Sequence, residues 1–255
     1  MNEISRRKII SGLAAGVPLA AVLADPLLAQ AAASSLRSEE LTIGGKSVKG
    51  ALAVPETTPA PAVLLIHEWW GLNDQIKSVA AEFANLGYLA LALDLYDEKV
   101  ATTRDKARAY MKAVDGAQAT ATVAAWAKWL KAHKQGTGKL GTVGWCFGGG
   151  WSLNTGIAEP VDGTVVYYGR VNRTADDLAK LNGPVLGHFA ATDKWINRDM
   201  VSGFEAEMDK AGKAYTSHWY DADHAFANPT SARYDEADAK LAWQRTTAFF
   251  EQMLR

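Results

Sequence analysis

The sequence predicts an α/β fold: a doubly wound, mostly parallel sheet with helices on both faces and an antiparallel hairpin at its N-terminal edge. Three observations predict it. Short apolar runs without polar alternation recur along the chain, as strands buried on both faces require. Stripes of apolar residues at helical spacing stand between those runs. A pair of glycines separates two apolar, β-branched stretches near the start. With 255 residues, 48% hydrophobic and 22% charged, the chain has the material for one large core.

Residues 1–33 read as an export signal and not as part of that fold. Ser5-Arg6-Arg7-Lys8 precedes an apolar run from Ile9 to Ala24, and the small residues Ala29 to Ala33 follow. This is the order of a basic n-region, an h-region and an A-x-A cleavage site, here near Ala31. The run holds Gly12, Gly16 and Pro18 and is short for a membrane span, so no stable membrane anchor is expected. "SRRKII" is similar to a twin-arginine signal, which predicts export of the folded chain to the periplasm or beyond by the export machinery. Residues 34–255 are then expected as a single domain, a monomer.

Within that domain, Glu40 to Val54 forms the hairpin about Gly44-Gly45. The runs Ala62 to Ile66, Tyr88 to Leu95, Lys139 to Trp145, Thr164 to Tyr168, Val185 to Ala190 and Tyr215 to Tyr220 are the strands. Ile76, Val79, Ala80, Phe83 and Leu86 recur at helical spacing and stop at Gly87. Similar stripes run through Arg104 to His133, Met200 to Met208 and Ala237 to Leu254. Gly136 to Gly141 matches G-x-G-x-x-G in letters. It follows a helix and precedes a strand, the reverse of a dinucleotide site, and is expected as a loop. "GGKS" at Gly44 lacks the first glycine of a P-loop, since that place falls on Glu40.

Charge and composition exclude several functions. The 27 basic and 28 acidic residues leave a net charge of -1, with no electrostatic footprint for nucleic acid. One cysteine makes no intramolecular disulfide and no thiolate zinc site. His67, His133, His188 and His218 lack ligand-like company, so they read as structural, and neither metal nor cofactor is expected.

Doubly wound sheets place ligands at the carboxyl ends of their strands. There the sequence puts His67-Glu68-Trp69-Trp70, Tyr96, Cys146, Asp193 and His224. The stretch Gly144-Trp145-Cys146-Phe147-Gly148 is a nucleophile elbow, G-x-C-x-G. The chain leaves a strand, turns sharply through the nucleophile and enters a helix, so side chains at the flanking positions would strike backbone. The helix N-terminus then favours both thiolate and oxyanion. The backbone N–H groups of Phe147 and Trp69 are the expected oxyanion donors.

"IHEWWGLN", "ALDLY", "GWCFGG", "YYG", "ATD" and "DHAFAN" resemble, in order and spacing, the dienelactone hydrolase (carboxymethylenebutenolidase) family. The resemblance spans nearly the whole chain after the signal. It implies the α/β-hydrolase fold and a Cys-His-Asp triad, with Cys146 as nucleophile, His224 as base and then acid, and Asp193 orienting the imidazole. It also implies that Glu68 helps activate the thiol when substrate binds, the thiol staying neutral until then. The implied activity is hydrolysis of a small-molecule lactone or short ester through a cysteine acyl-enzyme.

The family's best-known members hold a substrate carboxylate with two arginines, and this chain has Glu98 and Asn228 at those places. Altered specificity is therefore expected. Arg104, Arg170 and Arg198 are candidate replacements. Trp70, Tyr96, Trp145, Trp151, Phe226 and Asn228 are expected around the substrate, with Trp69, Phe147 and Trp195 adding to the aromatic surround. Two other functions fit the same residues: a non-catalytic binding or stress protein on a hydrolase scaffold, and a single-thiol redox enzyme.

Overall fold

The computed structural model describes residues 25–255. The n-region and h-region of the expected signal lie outside these residues. Its tail is the helix α1 (Pro26–Ala33), capped by Asp25, whose side chain accepts from the Leu27 and Leu28 amides. Ala29 and Ala33 are buried, and the Ala29 carbonyl accepts from Ser78 Oγ at 2.8 Å. The expected cleavage point near Ala31 thus lies within a helix docked on the body of the protein.

Strands β1 (Arg37–Ile43) and β2 (Lys46–Ala53) form the hairpin, with Ile43 opposite Lys46. Gly44 and Gly45 both have positive φ, 59° and 78°, as a tight two-residue turn between twisted strands requires. Strand β3 (Ala60–Ile66) is buried throughout. Its Val63 and Leu65 enter one core cluster while Ala62, Leu64 and Ile66 enter another, so both faces are covered and no polar alternation survives. Helix α2 (Asp74–Asn85) starts at Asn73, which accepts from the Ile76 amide, and buries Ile76, Val79, Ala80 and Phe83. Strand β4 (Leu89–Leu93) follows.

The continuous stripe from Arg104 to His133 is in fact two helices, α3 (Arg104–Ala113) and α4 (Gly116–Lys131). Val114 is extended, and Asp115 restarts the helix by accepting from the Gln118 amide at 2.8 Å. The glycine-rich stretch expected as a loop is a second correction, because strand β5 spans Gly136–Trp145. Gly136 pairs with Ala60 across a register shift, and Gly138 has φ of 87°. Gly141 is required by packing: a Cβ there would lie 2.5 Å from the Phe250 ring.

The remaining elements are α5 (Phe147–Ala158), β6 (Gly163–Tyr167), α6 (Ala175–Leu178), β7 (Val185–Ala190), α7 (Arg198–Lys210), β8 (Tyr215–Tyr220) and α8 (Glu236–Leu254). Helix α6 is a single turn, too short to leave a periodic stripe in the sequence. The eight strands form one sheet in the order β1-β2-β4-β3-β5-β6-β7-β8, parallel from β4 onward. Helices α2 and α8 cover one face, and α4, α5 and α7 the other. The chain winds outward from β3 to β4, then returns past β3 to β5. The winding reverses there, opening a crevice at the carboxyl ends of β3 and β5. Among the described residues no helix is long and apolar enough to cross a membrane.

Candidate active site

The register places the chemical groups side by side in this crevice. Ile66 stands opposite Gly144, and Trp145 opposite Tyr167. Two residues past Ile66 comes Glu68, level with Cys146, and one residue past Tyr167 comes Tyr168. Among the described residues, five non-glycine residues have positive φ: Asp97, Glu98, Cys146, Tyr168 and Ala225. All follow strand ends around this crevice, and strain of this kind costs about 1–3 kcal/mol per residue.

Cys146 has φ 55° and ψ -114° between β5 and α5. Its amide donates to the Tyr167 carbonyl at 3.0 Å. The turn leaves no room for side chains on either flank. A Cβ on Gly144 would lie 2.0 Å from the Gly148 carbonyl oxygen, and one on Gly148 would lie 2.2 Å from that of Ile66. The first turn of α5 is therefore pressed against the end of β3. Among the described residues, no protein acceptor takes the N–H of Phe147 or Trp69.

Asp193 and His224 follow the neighbouring strands β7 and β8 and meet at 2.6 Å, Nδ1 to Oδ2. The other carboxylate oxygen accepts from the amides of Trp195 at 2.8 Å and Ile196 at 3.1 Å. Burial opposes ionisation of Asp193, but the hydrogen bond from His224 and these amides outweigh it and hold the carboxyl below its ordinary value. Burial likewise opposes the His224 imidazolium. Pairing with Asp193 and with the adjacent Cys146 overcomes this and pushes His224 up to about 10.

Glu68 is buried and accepts from Asn228 Nδ2 at 2.7 Å and from Tyr168 Oη at 3.3 Å. Desolvation pushes its carboxyl up, against the hydrogen bonds from Asn228 and Tyr168 and the charges of His224 and Arg233. Tyr168 is the residue that sequence reading missed here. Its ring also lies 5.1 Å from that of His224. The sequence signals for it are a tyrosine at the end of a buried strand and its place in the "YYG" stretch.

The expected aromatic surround divides in two. Trp69, Trp70 and Trp151 are partly buried, the first two with rings 5.0 Å apart and Trp151 packed against the core cluster of Leu64 and Trp126. Phe147 is half-buried, and Trp195, 58% exposed, stands edge-on to His224 at 5.1 Å. Tyr96 is buried against His67 and Phe147. Trp145 and Phe226 belong to the core instead of to an open pocket wall. Trp145 packs on Tyr167, and Phe226 is fully buried between Tyr168 and Tyr220.

Arg198 stacks on Trp219 at the edge strand, while Arg104 and Arg170 are exposed. Glu98 turns outward to an ion pair with Lys49 at 2.8 Å. Arg233, which the sequence did not single out, lies over the Trp195 ring at 5.5 Å and 4.0 Å from the Asp223 carboxylate.

Comparison with known proteins shows the family and the fold. The family model described as "Dienelactone hydrolase family" matches residues 48–254. The carboxymethylenebutenolidase of Pseudomonas putida is 26% identical over 209 residues, which cover 76% of this chain and 87% of that protein. "Protein usf" of Aquifex pyrophilus is 31% identical over 228 residues, covering 84% of this chain and 97% of its own. The crystal structure of a dienelactone hydrolase-like promiscuous phosphotriesterase from metagenomic libraries superposes with a TM-score of 0.81. It is 22% identical and covers 86% of this chain and 98% of that one. The match runs from the N-terminal hairpin to the last helix, and the chain belongs to the dienelactone hydrolase family, with the α/β-hydrolase fold.

Proposed function

We propose that the protein hydrolyses a lactone or short carboxylic ester through an acyl-thioester on Cys146. The observation that carries this reading is the 2.6 Å bond between His224 and Asp193, at strand ends beside a cysteine held at positive φ. In acylation the Cys146 thiol gives its proton to the Glu68 carboxylate as the sulfur attacks the carbonyl carbon, and the N–H groups of Phe147 and Trp69 receive the oxyanion. Glu68 returns that proton when the cysteine departs. The imidazolium of His224 donates its Nε2 proton to the leaving oxygen as the tetrahedral intermediate collapses. Water then attacks the thioester, with the now neutral His224 as base, and Cys146 leaves. Asp193 keeps Nδ1 protonated and the ring oriented throughout.

Glu68 supports the first step. A carboxyl raised by burial is a better proton acceptor near neutral pH than an exposed one, and the register sets it level with Cys146. Specificity differs from that of the arginine-bearing relatives, because Asn228 and an outward-turned Glu98 leave a substrate carboxylate without a bidentate cation. We further propose that residues 1–33 direct export and that the single domain acts in the periplasm or outside the cell.

The test is turnover of a dienelactone, neutral lactones and short aryl esters by the protein and by Cys146→Ala. Hydrolysis of the neutral substrates that falls by about 10⁴-fold or more in the variant is expected. Hydrolysis that survives in Cys146→Ala overturns the acyl-thioester. Peroxide consumption with no ester cleavage on any member of the panel would replace this reading with a thiol redox enzyme.

A further inference from the structure

We infer that His67 is a positioning residue for the oxyanion hole: its imidazole fixes the Glu68–Trp69 peptide so that the Trp69 N–H points at the reacting carbonyl. The inference rests on the acyl-thioester reading above. His67 is fully buried, with Nδ1 2.6 Å from the Glu68 carbonyl oxygen and Nε2 3.1 Å from the Leu95 amide nitrogen. A backbone amide only donates, so Nε2 is the acceptor and the ring's single proton sits on Nδ1. Nδ1–H therefore donates to the Glu68 oxygen. Desolvation lowers the pKa of His67 and keeps this neutral tautomer in place.

The Glu68 carbonyl and the Trp69 N–H belong to one planar trans peptide, in which they point in opposite directions. Holding the oxygen thus aims the hydrogen. The Gly71 amide also reaches the Glu68 oxygen, at 3.3 Å, and closes the turn, but His67 makes the shorter bond. Leu95, just past β4, pins the far side of the ring, so the imidazole cannot swing and let the peptide rotate. The same ring stacks on Phe147 with centroids 5.8 Å apart and planes 22° apart. Phe147 carries the other oxyanion N–H, so one buried ring braces both donors. Tyr96 closes the third side, edge-on at 4.6 Å.

The experiment compares His67→Phe, which keeps volume and stacking but loses both hydrogen bonds, with His67→Gln, whose amide both donates and accepts. Each is measured for kcat and KM on a neutral aryl ester and for the iodoacetamide alkylation rate of Cys146, with circular dichroism to establish folding. His67→Phe is expected to lose roughly 30-fold in kcat, less than outright removal of an oxyanion donor costs, with KM within about twofold. His67→Gln is expected to recover most of the loss, and alkylation should stay within about twofold of the parent in both, since the nucleophile itself is untouched. If His67→Phe does not fold, His67→Leu, which also lacks a donor and an acceptor, takes its place.

An unchanged kcat in the folded variant, a loss expressed in KM, a parallel fall in alkylation, or no recovery in His67→Gln would each overturn the inference. Turnover that does not depend on Cys146 overturns the acyl-thioester reading and this inference with it. Cys146-dependent turnover that is indifferent to His67→Phe overturns this inference alone.

Discussion

Asn228 donates from Nδ2 to Glu68 Oε2 at 2.7 Å, and its own Oδ1 accepts from the amide and hydroxyl of Thr230. A neutral amide, fixed at both ends, thus occupies the place where the resemblance expects an arginine. The buried Glu68 carboxyl is held by neutral hydrogen-bond donors, while the Arg233 guanidinium lies over the Trp195 ring and acts on the carboxyl through charge alone.

Asn228→Arg is therefore expected to shift specificity. A guanidinium at this position offers a substrate carboxylate a charge-assisted hydrogen bond of about 1.5 kcal/mol, or roughly tenfold. The ratio of kcat/KM for a carboxylate-bearing lactone to that for a matched neutral ester should rise by that factor. An unchanged ratio would locate specificity elsewhere.

The His224–Asp193 pair makes stability depend on pH in a defined direction. The folded imidazole, at about 10, lies above its ordinary value near 6.5. Its contribution is fully present below that ordinary value and is lost as pH rises through about 10. Thermal melts at pH 7, 8.5 and 10 should show a falling Tm for the parent protein and a flatter profile for Asp193→Asn. The same variant should lose about 10²–10⁴-fold in kcat, because the imidazole loses its orientation and preferred tautomer.

One substitution is expected to have opposite signs at two glycines. Gly148→Ala drives a Cβ to 2.2 Å from the Ile66 oxygen and 2.5 Å from that of His67, both rigid backbone. It should destabilise by about 3 kcal/mol or more. Gly203→Ala, in α7 with nothing within 4 Å, should stabilise by roughly 0.5–1 kcal/mol. Urea unfolding of the two variants checks both signs.

Removal of residues 1–33 is expected to leave kcat unchanged and lower stability. It uncovers Ser78 and the surface now shielded by Ala29 and Ala33, a loss of about 1–3 kcal/mol in urea unfolding. A shortened chain that fails to fold would show that α1 belongs to the domain and not to a dispensable signal.

The strands and the elbow were legible because their signals are local. A buried parallel strand must be apolar on both faces, and a turn as tight as that at Cys146 must be flanked by glycines, whatever lies elsewhere. The break between α3 and α4 was hidden because both halves carry apolar residues at helical spacing, and the cap at Asp115 marks it. Tyr168 and His67 were illegible for a different reason. Tyr168 meets Glu68 across 100 positions of sequence, and His67 meets Leu95 across 28, so their partners appear only once the strands are in register. Trp145 and Phe226 were placed at the substrate because an aromatic residue near a strand end reads the same whether it faces crevice or core.

The conformation of Cys146 sets selection for stability against selection for chemistry. At φ 55° a glycine would sit without strain, and no other residue relieves the turn as well. A library randomised at this position and screened only for heat resistance should enrich glycine. Its winners would be soluble, well folded and inert, so heat-resistance screens of this scaffold need an activity selection run beside them.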